Sequence, residues 1–476
     1  MNKKLFFLLG VIAVILGGCT LAPQYFRPDA PIPASWPNGA AYPANHANTN
    51  AFDAAHLKWR EFLTDERLQQ VIDMALANNR DLRLAGLNVE RARAMYGIQR
   101  AELFPALNAV GYGSKEHVPG DLSTTGRSMT RESYGVNLGI SSWEIDFFGR
   151  IRGIKEEALE EYLATEEAAK SARLLLISSV ANAYLALAAD SEKLKLAGSV
   201  LETSKNAYEL IKRRYDLGLV SELALRQAQT TVDSAKRDIA LYTQLAAQDE
   251  NALNLLAGTP VPAELLSKNL GSVITLKEVF PGISSETLLR RPDIMAGEHR
   301  LKAANASIGA ARAAFFPRIS LTTAVGTASA ELSGLFRAGS DTWSFVPQII
   351  MPIFDARVWS AYDATKVEKE IAVAQYEKVI QTAFREVVDA LAVKGTVDSQ
   401  LAAQQSLVDA TAETFRLSMV RYEKGIDSYL GVLDAQRSLY TSQQGLISIR
   451  LIHLTNLVRL YAVLGGGGFS IPHEIK

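Results

Sequence analysis

The spacing of apolar positions changes several times along this 476-residue chain, and it changes twice in the same order. In NRDLRLAGLNVERARAMYGIQRAELFP good helix formers carry a helical rhythm that stops at Pro105. EHRLKAANASIGAARAAFFP carries the same rhythm and stops at Pro317. Gly97 with Gly309, Arg100 with Arg312, and Phe104-Pro105 with Phe316-Pro317 recur at one offset. The chain is a tandem repeat of two halves, each roughly 200 residues, far longer than a solenoid unit.

After each Phe-Pro the period shortens toward two. ALNAVGYGS and YGVNLGISSWEID read as strands at about 106–115 and 132–146, around a Gly/Ser/Thr loop at 115–131. RISLTTAVGTAS and WSFVPQIIMPIF read as strands at about 318–329 and 343–354, around a loop at 328–342. Each strand has about the ten residues of a tilted membrane strand. The alternation is imperfect, so a soluble hairpin fits these strands as well.

Proline then disappears between Pro119 and Pro260, and again between Pro352 and Pro472. It costs about 3 kcal/mol inside a helix, so its absence permits long helices. Ile177, Ala181, Tyr184 and Ala188 form one seam, and Leu176, Val180, Ala183 and Leu187 form a second beside it. Val373, Tyr376, Ile380, Ala383, Val387 and Ala390 keep the same rhythm in the second half. A helix with two seams packs on two neighbours, as a stave does in a cylinder. The helix from Arg150 to Tyr215 is then roughly 100 Å long.

Both long helices end alike: RYDLGLVSELALRQAQ from Arg214 and RYEKGIDSYLGVLDAQ from Arg421. Gly218 and Gly425 reach left-handed angles cheaply and end a helix there. Ser221 and Ser428 follow where a hydroxyl caps the returning helix. The tips lie at about 215–221 and 422–428. Four strands cannot close a membrane barrel with a lumen, and lipid does not tolerate open edges. Several copies must contribute, and three would supply twelve strands.

Composition narrows the choice. Fifty basic residues against 51 acidic ones give a net charge of −1 and no electrostatic case for nucleic acid. A mean hydropathy of +0.03 is too polar for a bundle of membrane helices, whereas barrel strands dilute that signal. Cys19 is the one cysteine, so no internal disulfide forms. Lys3, Lys4, an apolar run from Leu5 to Leu16 and LGGC read as a secretory signal. An ordinary signal with a chance cysteine is one reading. The other is a bacterial lipobox, which LGGC resembles. It implies cleavage before Cys19, with diacylglycerol on its thiol and an acyl chain on its amino group. Each buried methylene adds roughly 0.8 kcal/mol of anchoring. Thr20, rather than an aspartate, after the cysteine directs such a protein to the outer membrane. Six of the 16 prolines lie in residues 20–56, which favours an extended segment there.

The repeat, the Phe-Pro strand entries, the RY-x-x-G tips and DAQRSLY resemble the TolC family of outer-membrane factors. The lipobox, PGDLSTTG, RRPDI and NASIGAARAAFFP resemble its lipoprotein branch, which contains OprM. The resemblance implies a mainly α fold with a β-barrel contribution: a homotrimer with a 12-stranded outer-membrane barrel on a periplasmic α-helical barrel. It implies an equatorial belt from residues near 57–80, 258–290 and the C-terminal end. The chain then divides into a signal peptide (1–18), a lipidated extended segment (19–56), a first repeat (57–262), an equatorial linker (263–290), a second repeat (291–464) and a tail (465–476). The implied role is the exit duct of a tripartite multidrug efflux system. Its partners would be an inner-membrane pump of the resistance-nodulation-division type, a periplasmic adaptor and outer-membrane lipid. A protein-secretion duct, a metal-efflux duct and a non-conducting structural lipoprotein are the alternatives.

A duct needs no chemistry, and none is expected: no enzyme activity, no metal site, and no cofactor beyond the lipid. The six histidines show no metal-ligand spacing, and His299 is expected to be structural or on the surface. GGGG at 465–468 opens no helix and reads as a linker. Glu156, Glu157, Glu160 and Glu161 are expected on a solvated helix face. Asp434 and Arg437, three apart on one helix face, make a surface pair on the plainest reading. The resemblance implies instead that they line a periplasmic gate, with Leu430 as its apolar constriction and Tyr422 as a tether between helices. Relatives carry an aspartate at the first tip where this chain has Ala224. That leaves the partner of Arg437 open between Asp434, Glu222 and another group.

Overall fold

The computed structural model describes residues 21–42, 52–53, 57–272, 279–280 and 285–466. Cys19, the expected signal segment and the tail from 467 on lie outside the described residues.

Each half holds a helix, two strands, a very long helix and a returning helix. In the first half these are α2 (Arg80–Ala101), β1 (Leu107–Val118), β2 (Met129–Ile145), α3 (Arg150–Asp216) and α4 (Glu222–Ala257), preceded by α1 (Glu66–Asn78). In the second they are α5 (Pro292–Ala313), β3 (Arg318–Ser329), β4 (Asp341–Ile350), α6 (Ala356–Glu423) and α7 (Tyr429–Val463). The compact units cut across the repeats. One unit takes residues 88–166 and 296–376 with the N-terminal residues up to Asp29; the other takes 30–87, 167–295 and 377 onward. Elements of the two halves pair with each other, β2 with β3 and α4 with α7, so neither half is a body by itself.

In the first unit the strands form one antiparallel sheet in the order β1-β2-β3-β4. Residues opposite each other in a ladder share a face. The register therefore sets Leu107, Val136, Leu138, Ile140, Val325, Leu321, Trp343, Phe345 and Ile349 on one face. Asn108, Asn137, Gly139, Ser320, Thr322, Ala324 and Ser344 line the other, together with Val110, Tyr112, Val346 and Ile350. Nothing covers the apolar face among the described residues, and Trp343 is 76% exposed. β1 and β4 are also open edges: all of β1 but Val118 and all of β4 but Thr342 are exposed. The broken alternation of YGVNLGISSWEID has a local cause. A bulge between Ile140 and Trp143, with Ser142 at φ 52°, adds one residue and returns Trp143 and Ile145 to the apolar face.

The strand bounds differ most from expectation at three places. β1 and β2 pair on to Val118 and Met129, because Lys115 reaches Glu132 at 2.5 Å and His117 lies opposite Thr130. The first loop shrinks to 119–128. β4 stops at Ile350, two residues before Pro352, which has no N–H to donate. The joint from β2 to α3 is polar: Arg150 grips Glu144 at 2.8 and 2.9 Å, and Asp146 accepts from the Arg152 backbone at 2.9 Å.

The acidic run on α3 is not one solvated face. At about 100° per residue the four carboxylates share one side of the helix, and neighbouring elements cover the middle two. Glu156 and Glu161 are exposed, while Glu160 meets His299 Nδ1 at 2.5 Å in a half-buried pair. Desolvation, with Glu161 and Glu368 nearby, pushes the Glu157 carboxyl up from its ordinary range.

The second unit has the dense core. Ile177, Val180, Ala181, Tyr184, Leu187 and Ala188 of α3 are buried, as are Ile380, Ala383, Val387 and Ala390 of α6. Most of the two expected seams on α3 are thus filled within one chain; Ala183 is only half-buried. Asp65 starts α1 by accepting from the backbone of Arg67 and Leu68 at 2.9 and 3.0 Å. Phe62 stacks on Tyr461 at 4.3 Å, and the Tyr461 hydroxyl donates to the Leu57 carbonyl at 2.9 Å. Gly258 ends α4 at φ +71°, where a Cβ would lie 2.4 Å from the Asn78 carbonyl oxygen. Residues near 57–80 and 258–272 thus pack on the ends of α4 and α7.

Candidate aperture at the second hairpin tip

Both tips are built by the same backbone motif. Gly218 has φ +71° and Gly425 has φ +72°. The N–H of Gly218 donates to the Tyr215 carbonyl and that of Leu219 to the Arg214 carbonyl, each at 2.8 Å. At the second tip Gly425 donates to Tyr422 and Ile426 to Arg421, each at 2.9 Å. These are the paired bonds of a Schellman motif, with Arg and Tyr supplying the last free carbonyls and Gly the left-handed residue. RY-x-x-G is therefore a helix stop read in full.

The restarts differ slightly. The Ser221 hydroxyl accepts from the Ala224 N–H at 3.4 Å and caps α4. Ser428 takes the same extended backbone before α7, but its hydroxyl makes no cap bond. That expectation for Ser428 is corrected: its backbone alone marks the start.

Side chains tie the two tips together. Arg421 is pinned across its own turn by Asp427, at 2.5 and 3.1 Å. This pair, led by the hydrogen bond, holds the Asp427 carboxyl below its ordinary range. The repeat equivalents are Arg214 and Val220. With no carboxylate there, Arg214 reaches over and donates to the Tyr422 hydroxyl at 2.6 Å, its guanidinium 5.5 Å from the ring centre. Sequence reasoning singled out Tyr422 and missed Arg214, Arg421 and Asp427. The signal was present: the same arginine recurs, and only one copy has an aspartate six residues later.

Beneath lies a small apolar core of Ile211, Ala228, Tyr429, Val432 and Leu433, with Val220, Ala224 and Tyr422 packed against it. Ala224 thus meets apolar side chains, where a carboxylate would be desolvated. Glu222 does not stand in for the missing aspartate within the chain; it holds Arg226 at 3.2 Å, one turn on.

Tyr429, Val432 and Leu433 face that core, which turns Leu430, Asp434 and Arg437 outward on the opposite face of α7. Leu430 is 47% exposed. Asp434 and Arg437 are 3.7 Å apart, with side chains 63% and 69% exposed. In water such a pair contributes at most about 1 kcal/mol. This face carries a leucine, a carboxylate and a guanidinium in line, free to meet copies of itself.

The family described as "Outer membrane efflux protein" matches residues 71–259 and 283–466. The chain is 48% identical over 463 residues to the probable efflux pump outer membrane protein TtgC of Pseudomonas putida, covering 97% of this chain and 95% of that one. It is 42% identical over 459 residues to the outer membrane protein OprJ of Pseudomonas aeruginosa, covering 96% and 95%. Among solved structures it resembles a membrane protein from Pseudomonas aeruginosa, with TM-score 0.89, 40% identity and coverage of 96% and 100%. It also resembles the open state of the MtrE outer membrane channel of Neisseria gonorrhoeae, with TM-score 0.85, 37% identity and coverage of 94% and 99%.

Proposed function

Because this chain belongs to the outer membrane efflux protein family, we propose that three copies form the exit duct of a tripartite efflux system. The duct passes drugs and other small toxic compounds across the outer membrane, fed by a resistance-nodulation-division pump through a periplasmic adaptor. The observation that carries this reading is the uncovered apolar face of a sheet with two open edges. In water such a sheet would aggregate; in lipid it is a barrel wall that lacks its neighbours. Three copies bring their edges together, with the more apolar face toward lipid and the face richer in Asn, Ser and Gly toward the lumen. The loops at 119–128 and 330–340 then face the cell exterior, and the hairpin tips face the adaptor. No step is catalytic. Leu430, Asp434 and Arg437 from three copies surround one axis and close the duct at rest.

Deletion of the protein followed by a broad toxicity panel tests the role. Sensitisation to several unrelated small compounds, reversed by re-expression, supports the reading. Loss of a secreted protein with unchanged resistance would replace it with a secretion duct.

We also propose that Cys19 carries the lipid anchor, as LGGC suggests. Labelled palmitate is expected in the wild type and absent from Cys19→Ser, which still trimerises. Equal labelling of both would remove the anchor from the reading.

A further inference from the structure

We propose that Gln436, Tyr440 and Gln444 form a polar register lock, which positions the aperture residues of α7. The proposal rests on the aperture reading above and adds residues that do not line the aperture. These three lie at four-residue steps, so they stack on one helix face. Each meets a polar group on the first hairpin. Gln436 Nε2 donates to Ser204 Oγ at 3.2 Å on α3, both residues buried. The Tyr440 hydroxyl donates to Asp238 Oδ2 at 3.1 Å on α4. Gln444 Nε2 donates to the Tyr242 hydroxyl at 2.9 Å, one turn further along α4.

These rungs continue upward the seam that begins with Tyr429, Val432 and Leu433, and there the seam changes character. The lower part is apolar, and apolar contact is non-directional, so it tolerates a sliding or turning helix. Directional hydrogen bonds, one between buried residues and two between half-buried ones, do not, because a shift of one rung leaves donors and acceptors unpaired. Asp238 is a buried carboxylate whose Oδ1 is held by Arg237 at 2.6 and 3.0 Å, which leaves Oδ2 for Tyr440. Burial and the Asp238 charge push the Tyr440 hydroxyl up from its ordinary range, so it remains a donor. A cavity of about 290 Å³ opens beside Gln436, Arg437 and Tyr440, bordered by Val200, Thr231 and Ala235. Packing alone therefore does not stop α7 from turning at this level; the rungs do. On its other side α7 is held by Ser442, whose hydroxyl meets Thr411 at 2.8 Å and whose carbonyl accepts from Gln404 at 2.8 Å. Between these two sets of bonds, the axial position of Leu430 and Asp434 is fixed from above.

The test is single-channel recording of the full-length trimer in planar bilayers. Tyr440→Phe with Gln444→Leu removes two rungs at nearly constant volume and leaves Leu430, Asp434 and Arg437 in place. It is expected to raise open probability several-fold. Asp238→Asn keeps an acceptor for Tyr440 and is expected to gate like wild type, whereas Asp238→Leu opens. In a channel already opened by Leu430→Ala with Asp434→Ala, the lock substitutions are expected to add little. If the lock variants gate like wild type while the Leu430/Asp434 variant opens, the lock is wrong and the aperture stands. If the lock variants open but the Leu430/Asp434 variant does not, the lock stands and the aperture lies elsewhere on α7. If neither opens, both readings fall.

Discussion

Replacing Leu430 and Asp434 together by alanine is expected to raise single-channel conductance several-fold and to weaken cation preference. Both side chains project from the uncommitted face of α7, one turn apart. Around a threefold axis they make an apolar ring beside an acidic one. A ring of leucines hinders water and ions by dewetting, and a ring of carboxylates favours cations. Like charges at ~8 Å and an effective dielectric constant of ~20 repel by about 2 kcal/mol. In the proposed aperture Arg437, 3.7 Å from Asp434 in the same chain, would offset that repulsion. Ala224, packed against the apolar cluster beneath the tip, has no carboxylate to add. On the proposed reading the double substitution removes plug and charge filter together. Unchanged conductance with unchanged selectivity would show that the constriction lies elsewhere.

Arg291→Met is expected to destabilise the folded chain by about 3 kcal/mol, the usual scale for breaking a buried ion pair from one side. The guanidinium is nearly buried at the start of α5 and spends its whole fork on three elements. It donates to Asp293 at 2.8 and 3.0 Å, to Glu386 of α6 at 2.9 Å, and to the Val463 carbonyl at the end of α7 at 2.7 Å. Methionine fills much of the space and satisfies none of these acceptors. Asp293 and Glu386 keep some access to water, with side chains 35% and 31% exposed, so the loss falls at the lower end of the buried range. Arg291→Lys retains the charge without the planar fork and is expected to recover only part of the stability. Denaturant unfolding in detergent measures both. A midpoint for Arg291→Met equal to wild type would mean that the three elements hold together without this joint.

Local sequence showed the tips best, because the Schellman motif makes its demands locally. A left-handed residue must follow the last turn, and glycine appears there twice in matching context. The strands were legible as existing, but their ends were not. The extension of β1 depends on a cross-strand pair, Lys115 with Glu132, which a single strand does not display. The bulge at Ser142 hid the alternation of β2 until the register was known. The tether of Tyr422 was visible only as a resemblance. Its partner Arg214 is named by the contrast between Val220 and Asp427, which becomes meaningful once the two turns lie side by side. Ala224 looked like a missing partner in the sequence and is core packing in the fold. Likewise the glutamates of α3 read as one solvated cluster, whereas neighbours that the local sequence does not display cover Glu157 and Glu160.

The proposed duct requires β1 of one copy to pair with β4 of the next until three copies close the barrel. The direct measurement is a scan of cysteine pairs, one on β1 from Leu107 to Val118 and one on β4 from Asp341 to Ile350, oxidised in outer membranes and separated under denaturing conditions. Facing positions are expected to cross-link between copies, at alternate residues along both edges, in a ladder that ends at three. A ladder that continues past three, or no cross-link at any pair, would contradict a closed three-chain barrel and the duct built on it.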